Sequence, residues 1–321
     1  LVRQGLIQLG KIIISALLIG YLLFRIGIHR ILDHIASADP LLFAAAIGIF
    51  LISHIVGSYQ WYVLLCNEKV PITWPKALSF YFVGLFLNNF LVSSMGGDIF
   101  RMVDIKRHSE DLPGAVATVF LDRLAGFFLL STLAVLSGPW IIIEKGLSSH
   151  LTLLILFLVV SWSALLFLLF CRSAARPFAR IFRKAVPEKF SSKAREIYDR
   201  IYAFGRQKSV VRRVLLLSVL IQSMRIMTHY VLACSLGVHV SPAYFFLIVP
   251  VIAIAASLPV SFGGIGLREQ TGVILFGMIG IPAVQAFSIE FMAYISAILT
   301  SIPGGIVFAV RRNVKRHRNS K

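Results

Sequence analysis

Ser93-Ser94-Met95-Gly96-Gly97-Asp98-Ile99-Phe100-Arg101 is the stretch whose reading decides the fold. A near copy, Val260-Ser261-Phe262-Gly263-Gly264-Ile265-Gly266-Leu267-Arg268, stands in the second half of the chain. Both read serine, large apolar residue, Gly-Gly, two residues, large apolar residue, arginine. Each follows one apolar run and precedes another. Paired glycines permit a sharp break and let other groups approach the backbone. The pattern therefore suggests two matching breaks in membrane hairpins.

The surroundings support a membrane setting. The chain has 321 residues, 58% of them hydrophobic and 14% charged, against about 25% charged in an ordinary soluble domain. Several apolar runs approach the ~20 residues that span a bilayer as helix, and the short alternating segments of a β-barrel are absent. The expected class is an all-α polytopic membrane protein. Net charge is +18, with 13 of the 32 Lys+Arg between Arg172 and Arg213 and six between Arg311 and Lys321. Such clusters mark the cytoplasmic side and attract anionic headgroups. Nucleic acid is not an expected partner, because the apolar remainder accounts for the chain better. Cys66, Cys171 and Cys234 have no metal spacing and read as small packing residues.

Run lengths and Lys/Arg placement then give directions. Arg3 and Lys11 precede an apolar run without a clear cleavage site, read as a first helix over 6–25 running outward. Residues 26–40 are expected as an outer loop, and Asp39-Pro40 as the start of a returning helix over 41–65. Trp61 and Tyr62 in it suit an interface belt. The run 77–92 ends at the first Gly-Gly motif, and Arg101, Lys106, Arg107 and His108 after it carry a cytoplasmic signature. A re-entrant hairpin over 77–112 resolves that conflict, and it implies a cavity, since non-helical backbone at depth needs protein or water beside it. The same count makes 243–280 a second hairpin, entering from outside. The resulting segments are a first membrane repeat over 1–137; an outer loop and a span over 138–171, the loop opened by Gly138-Pro139; a basic amphipathic connector over 172–213, with Ala194, Ile197, Tyr198, Ile201 and Tyr202 at helical spacing; the rest of the second repeat over 214–310; and a basic cytoplasmic tail over 311–321. About six full spans plus two re-entrant hairpins of opposite orientation form an inverted repeat, an architecture whose interrupted segments meet near the midplane. Both termini are expected in the cytoplasm of a bacterial-type inner membrane.

Chemistry concentrates at the breaks. Amide groups at the start of each returning half-helix favour an anion. Arg101 and Arg268, each four residues past the second glycine of its motif, are suited to hold a phosphate. Arg101 also reads as a cytoplasmic anchor, and Arg268 as the partner of Glu269. Asp122-Arg123 lies inside a span, with Asp98 and Arg101 available as charge partners. Arg225, His229 and Glu290 are further intramembrane polar groups, and Glu290 has Arg225 or Arg268 within expectation as a partner. Asn88, Asn89, Ser93, Ser94 and Ser261 can satisfy broken backbone or contact a headgroup. The candidate substrate-binding set is Ser94, Gly96, Gly97, Asp98, Arg101, Asp122, Arg123, Arg225, Ser261, Gly263, Gly264, Arg268, Glu269 and Glu290. No phosphate-binding Gly-x-x-x-x-Gly-Lys loop, dinucleotide fingerprint, His-Glu-x-x-His or cysteine ligand set occurs. No cofactor, metal or catalytic activity is expected from these residues.

Three stretches together resemble the membrane-domain family of lysylphosphatidylglycerol synthase/flippases: Asn88 to Arg101, Leu121-Asp122-Arg123-Leu124-Ala125-Gly126, and Leu258 to Glu269. Family members often carry a proline just before the first Gly-Gly motif; Val92 and Ser93 occupy that region here. The resemblance implies a stand-alone flippase-like domain that moves a phospholipid between leaflets, without the soluble aminoacyl-transferase domain. A homodimer is among the assemblies open to it. Two other functions use the same residues: secondary transport of a soluble anion, and an integral-membrane transferase with Asp98, Asp122 or Glu269 as acid or base.

Overall fold

The computed structural model describes residues 2–90, 96–145, 149–170, 188–258 and 260–319. Among them are twelve helices and no strands: α1 (Val2–Ile26), α2 (Ile28–Ala36), α3 (Pro40–Asn67), α4 (Trp74–Phe90), α5 (Gly96–Ser109), α6 (Leu112–Lys145), α7 (Ser149–Phe170), α8 (Glu188–Arg206), α9 (Lys208–Ser235), α10 (Pro242–Ser257), α11 (Leu267–Met278) and α12 (Ala283–Asn319). Four stretches among the described residues are long and apolar enough to cross a bilayer: Gln8–Ile26, Pro40–Asn67, Leu112–Trp140 and Ala283–Arg311. This is a multi-pass helical membrane protein.

Local chemistry explains most boundaries. Asp39 caps α3: its Oδ1 accepts from Leu41 N at 2.8 Å and Leu42 N at 3.0 Å, with Pro40 at the first position. Ser241 and Pro242 repeat the device at α10. Three boundaries differ from the sequence expectation. The outer loop 26–40 contains α2, because Ile31 and Ile35 share a face that packs on Leu22, Ile26 and Phe287, and Gly27, at φ 91, makes the turn from α1. Helix α6 continues through Gly138-Pro139 to Lys145; an internal proline removes one backbone hydrogen bond, which a long helix tolerates. Helix α12 likewise passes Pro303 and runs on through the basic tail to Asn319. In the connector, α8 turns Ile201 and Phe204 inward onto Val63, Leu64, Leu121 and Val214. Arg200 on α8 reaches Glu68 and Asp111 at 2.8 Å each. Its apolar face is thus covered by protein.

The helices pair in matched sets. Helices α3 and α9 are 28 residues each, and they begin 168 residues apart (40 to 208), as do α4 and α10 (74 to 242). Exchanging α3, α4, α5 and α6 for α9, α10, α11 and α12 turns each helix contact into another that exists. Helix α4 packs on α12 as α10 packs on α6; α4 on α5 as α10 on α11; α5 on α6 as α11 on α12; α3 on α6 as α9 on α12. Helices α3 and α9 pack on each other, and they are antiparallel: Asp39 N donates to Ser235 O at 2.8 Å, and Ser218 Oγ donates to Gln60 Oε1 at 2.7 Å.

Two antiparallel helical hairpins result. In the first, Lys76 Nζ meets His108 Nδ1 at 3.0 Å near the base, and Gly97 N donates to Asn88 Oδ1 at 2.7 Å near the tip. In the second, Phe245 meets Phe276 with ring centroids 5.3 Å apart, and Gly264 lies against Ala256. The hairpins open from opposite ends of the α3–α9 pair. The base of the first lies beside Glu68 and Asp111 at the C-terminal end of α3, where Arg311 of α12 also bonds Asp104 at 3.1 Å and Ser79. The base of the second lies at the other end, just past Ser235. Both tips reach the middle of α12's apolar stretch. Asn89 Nδ2 donates to Ala297 O at 3.1 Å and Ser301 Oγ at 3.0 Å, while Arg268 lies over the Tyr294 ring, 5.8 Å from its centroid.

Backbone contact fixes this packing. A Cβ on Gly97 would collide with the carbonyl of Gly84, and one on Gly304 with the carbonyl of Phe82. Overpacking of this kind costs about 1–3 kcal/mol or more. Gly304→Val should therefore lower the thermal midpoint of the purified protein by several degrees, whereas Gly277→Ala, in open space, should leave it unchanged or slightly raised. A melt of both variants in one detergent checks this, and equal midpoints would refute the close-packing account.

Candidate functional site at the hairpin tips

The first tip carries a buried charge network. Arg101 stands in the second turn of α5 with its side chain 5% exposed. One terminal nitrogen donates to Asp122 Oδ2 on α6 at 2.9 Å and the other to Asp98 Oδ1 at 3.4 Å. Its guanidinium also lies over two aromatic rings, Trp61 at 4.1 Å and Tyr81 at 4.6 Å from the centroids. Asp98 in turn accepts from Arg123 Nε at 2.7 Å. Asp122 Oδ1 accepts from Gln60 Nε2 at 3.0 Å, and Gln60 accepts from Ser218 on α9. One connected network thus joins α3, α5, α6 and α9, with Trp61 and Tyr81 of α3 and α4 as its walls. Buried charges need such partners, since desolvating one ion costs several kcal/mol, and the ring faces add about 1–2 kcal/mol of cation–π attraction.

The glycines of the two motifs do different work. Gly96 and Gly97 sit in the first turn of α5, and Gly97 allows the close approach to α4. Gly263, Gly264 and Gly266 have φ of 57, 83 and 83, a region that favours glycine. The chain from Gly263 to Gly266 is therefore a turn, and α11 starts only at Leu267. Arg268 consequently stands in the first turn of its helix, one turn earlier than Arg101.

Part of the donor set at each tip is satisfied by the chain itself. Gly97 N is taken by Asn88, Phe262 N by Ser15 Oγ of α1 at 2.8 Å, and Gly266 N by Glu269 Oε2 at 2.7 Å. Glu269 is thus engaged in the return half of a capping box, although Gly266 has no side chain for the other half. Among the described residues no carboxylate lies within ion-pair distance of Arg268, and Glu269 is not its partner. The Ser261 hydroxyl is buried without a hydrogen-bond partner. Glu290 is fully buried, and both its carboxylate oxygens lack hydrogen-bond partners. Its nearest opposite group is His229 Nε2, 3.8 Å away, in place of Arg225. His229 Nδ1 meets the Arg225 carbonyl at 3.0 Å.

A model of the lysylphosphatidylglycerol synthase transmembrane region matches residues 8–306. The chain belongs to that family. It is also similar to UPF0104 membrane protein PH1989 of Pyrococcus horikoshii, 26% identical over 326 residues that cover 94% of this chain and 97% of that protein. The family match takes in both hairpins and the helices that carry the network.

Of the candidate set, Asp98, Arg101, Asp122 and Arg123 come together at the first tip. Arg268, Glu290 and His229 gather near the second, with Glu269 in the adjoining cap. Ser93 and Ser94 lie outside the described residues. Asn88 and Asn89 serve backbone and α12. Gln60, Ser218, Tyr81 and Ser15 were missed as site residues. Trp61 was assigned to an interface belt and is instead fully buried against Arg101. The adjacent Gln60-Trp61 inside an apolar run was a signal, because a buried amide needs a partner.

Asp122→Asn leaves Arg101 with one carboxylate. It should destabilise by about 3–5 kcal/mol. Arg123→Ala, whose side chain is 40% exposed, should cost about 0–1 kcal/mol. Denaturation of both variants in detergent tests the ranking, and a reversed order would sink the network account.

Proposed function

We propose that the protein is a lipid flippase that moves an anionic or aminoacylated phospholipid, or a related lipid-linked headgroup, between membrane leaflets. The observation that carries the proposal is that both hairpin tips reach the middle of α12, one bringing Asn89 and the other Arg268. In a bilayer the two hairpins are re-entrant, entering from opposite faces, and the halves form an inverted repeat among about six full spans. Arg311, Arg200, Lys76 and His108 gather at one end of the molecule, which supports a reading in which that end and both termini face the cytoplasm of an inner membrane. Rocking of one half against the other would then expose a headgroup held between the tips to either leaflet.

Arg268 is the better placed arginine for a phosphate, since two carboxylates already hold Arg101. A surface groove of about 380 Å³ on α9 supports a lipid over a soluble anion. It has Lys208 and Arg212 at one end and Leu215, Leu216 and Val219 along the rest. The transferase alternative needs an unengaged acid or base. Asp98 and Asp122 are held by arginines and Glu269 caps α11, which supports transport. With no nucleotide-binding loop in the sequence, movement is downhill or ion-coupled.

Arg268→Ala protein in liposomes should flip labelled phosphatidylglycerol roughly tenfold more slowly, the loss expected for one charge-assisted hydrogen bond. An unchanged rate in a variant with a wild-type melting curve would remove Arg268 from the site. Uptake of inorganic phosphate into the liposomes without lipid movement would favour the anion carrier.

A further inference from the structure

The exchange of helices pairs the Arg101 motif with the Arg268 motif, and α6 with α12. At the 168-residue spacing, Asp122 on α6 corresponds to Glu290 on α12. The first pair is closed, with Arg101 on Asp122 at 2.9 Å. The second is open. Glu290 has no bonded partner, and Arg268 rests on Tyr294.

Glu290 is surrounded as follows. On α11, Arg268 and Glu269 act on it electrostatically, and Gly272 presses on it: a Cβ there would come within 2.6 Å of Glu290 Cγ. On α9 it faces His229. On α12 itself, Tyr294 lies in the same field of Arg268 and Glu269. Helices α2, α3 and α4 also pack on α12, and among the described residues none of their cationic side chains lies within ion-pair distance of Glu290. A carboxylate ion in this place would have neither solvent nor a hydrogen bond. The neutral carboxyl does not carry that penalty.

His229 is oriented to exchange a proton with it. A carbonyl oxygen only accepts, so the contact with Arg225 O places the imidazole proton on Nδ1. In the neutral ring, Nε2 is then an acceptor that faces Glu290. The 3.8 Å separation exceeds a hydrogen bond by roughly 0.6–1 Å, a gap that a small shift of α9 or α12 closes. On closure the carboxyl proton passes to Nε2. The product is a carboxylate–imidazolium pair with no change in net charge.

We infer that Glu290, with His229, is a proton-binding site within the second half, loaded in the present arrangement and unloaded when α11 moves and releases Gly272's contact with Glu290, so that lipid movement is coupled to protons. The coupling rests on the flippase reading; the proton site does not. Opening admits water to the carboxyl, which removes the cost of its ionised form.

Infrared spectroscopy of the purified full chain tests the site. Wild type should show a protonated-carboxyl band near neutral pH that Glu290→Gln, isosteric and with an unchanged melt, removes. His229→Gln should keep the band and shift the pH at which it titrates. A wild-type spectrum without that band overturns the site. In liposomes, one proton per lipid sustains roughly a tenfold leaflet ratio of labelled phosphatidylglycerol per unit of imposed pH difference, and Glu290→Gln should abolish the response. Wild-type flipping that ignores the gradient overturns the coupling. If the band is present and depends on Glu290 while no preparation flips the lipid, the proton site stands and the flippase reading has failed.

Discussion

A guanidinium cannot sit bare in an apolar interior, and much of this structure follows from how Arg101 is accommodated. Two carboxylates and two aromatic faces enclose it. Those groups come from α3, α4, α5 and α6, so one charge holds four helices in register. Asp122 passes the constraint to Gln60, and Gln60 to Ser218 on α9, which joins the two halves at their central pair. Removing any one partner leaves another buried polar group unsatisfied, which is why such a network acts as a unit.

The two halves share a plan and differ in state. Their helices pair in matched sets, yet the acidic group facing the first tip is bonded and its counterpart facing the second is not. Glycine chemistry follows the same division. In the first motif it permits backbone contact; in the second it permits a left-handed turn. That turn delays the start of α11 and moves Arg268 to the first turn of its helix. A repeat that remained symmetric in packing and in charge would have two equivalent sites. Here one carboxylate is satisfied and the other is not.

Family membership and geometry bear on different questions. The match to the lysylphosphatidylglycerol synthase transmembrane region over residues 8–306 associates the chain with lipid handling. The tips reaching α12, the groove on α9 and the open Glu290 are properties of this chain's own packing.

Much of the fold was legible in the sequence by itself. Run length and the repeated Gly-Gly motif located the helices that flank both motifs, because hydrophobic period is a local property of a chain in a bilayer. Caps such as Asp39-Pro40 were legible for the same reason. Helix α2, the passage of α6 through Gly138-Pro139, and the burial of Trp61 were not. Each depends on what a residue packs against: Phe287 for Ile31, Arg101 for Trp61. The site divided in the same way. The residue types at the tips were visible, since charges in apolar runs stand out. Their partners were decided by tertiary structure alone. Glu269 turned back to Gly266 and away from Arg268, Asn88 to Gly97, and Glu290 to no hydrogen-bond partner at all, because hydrogen bonds answer to distances of about 3 Å that sequence spacing does not contain.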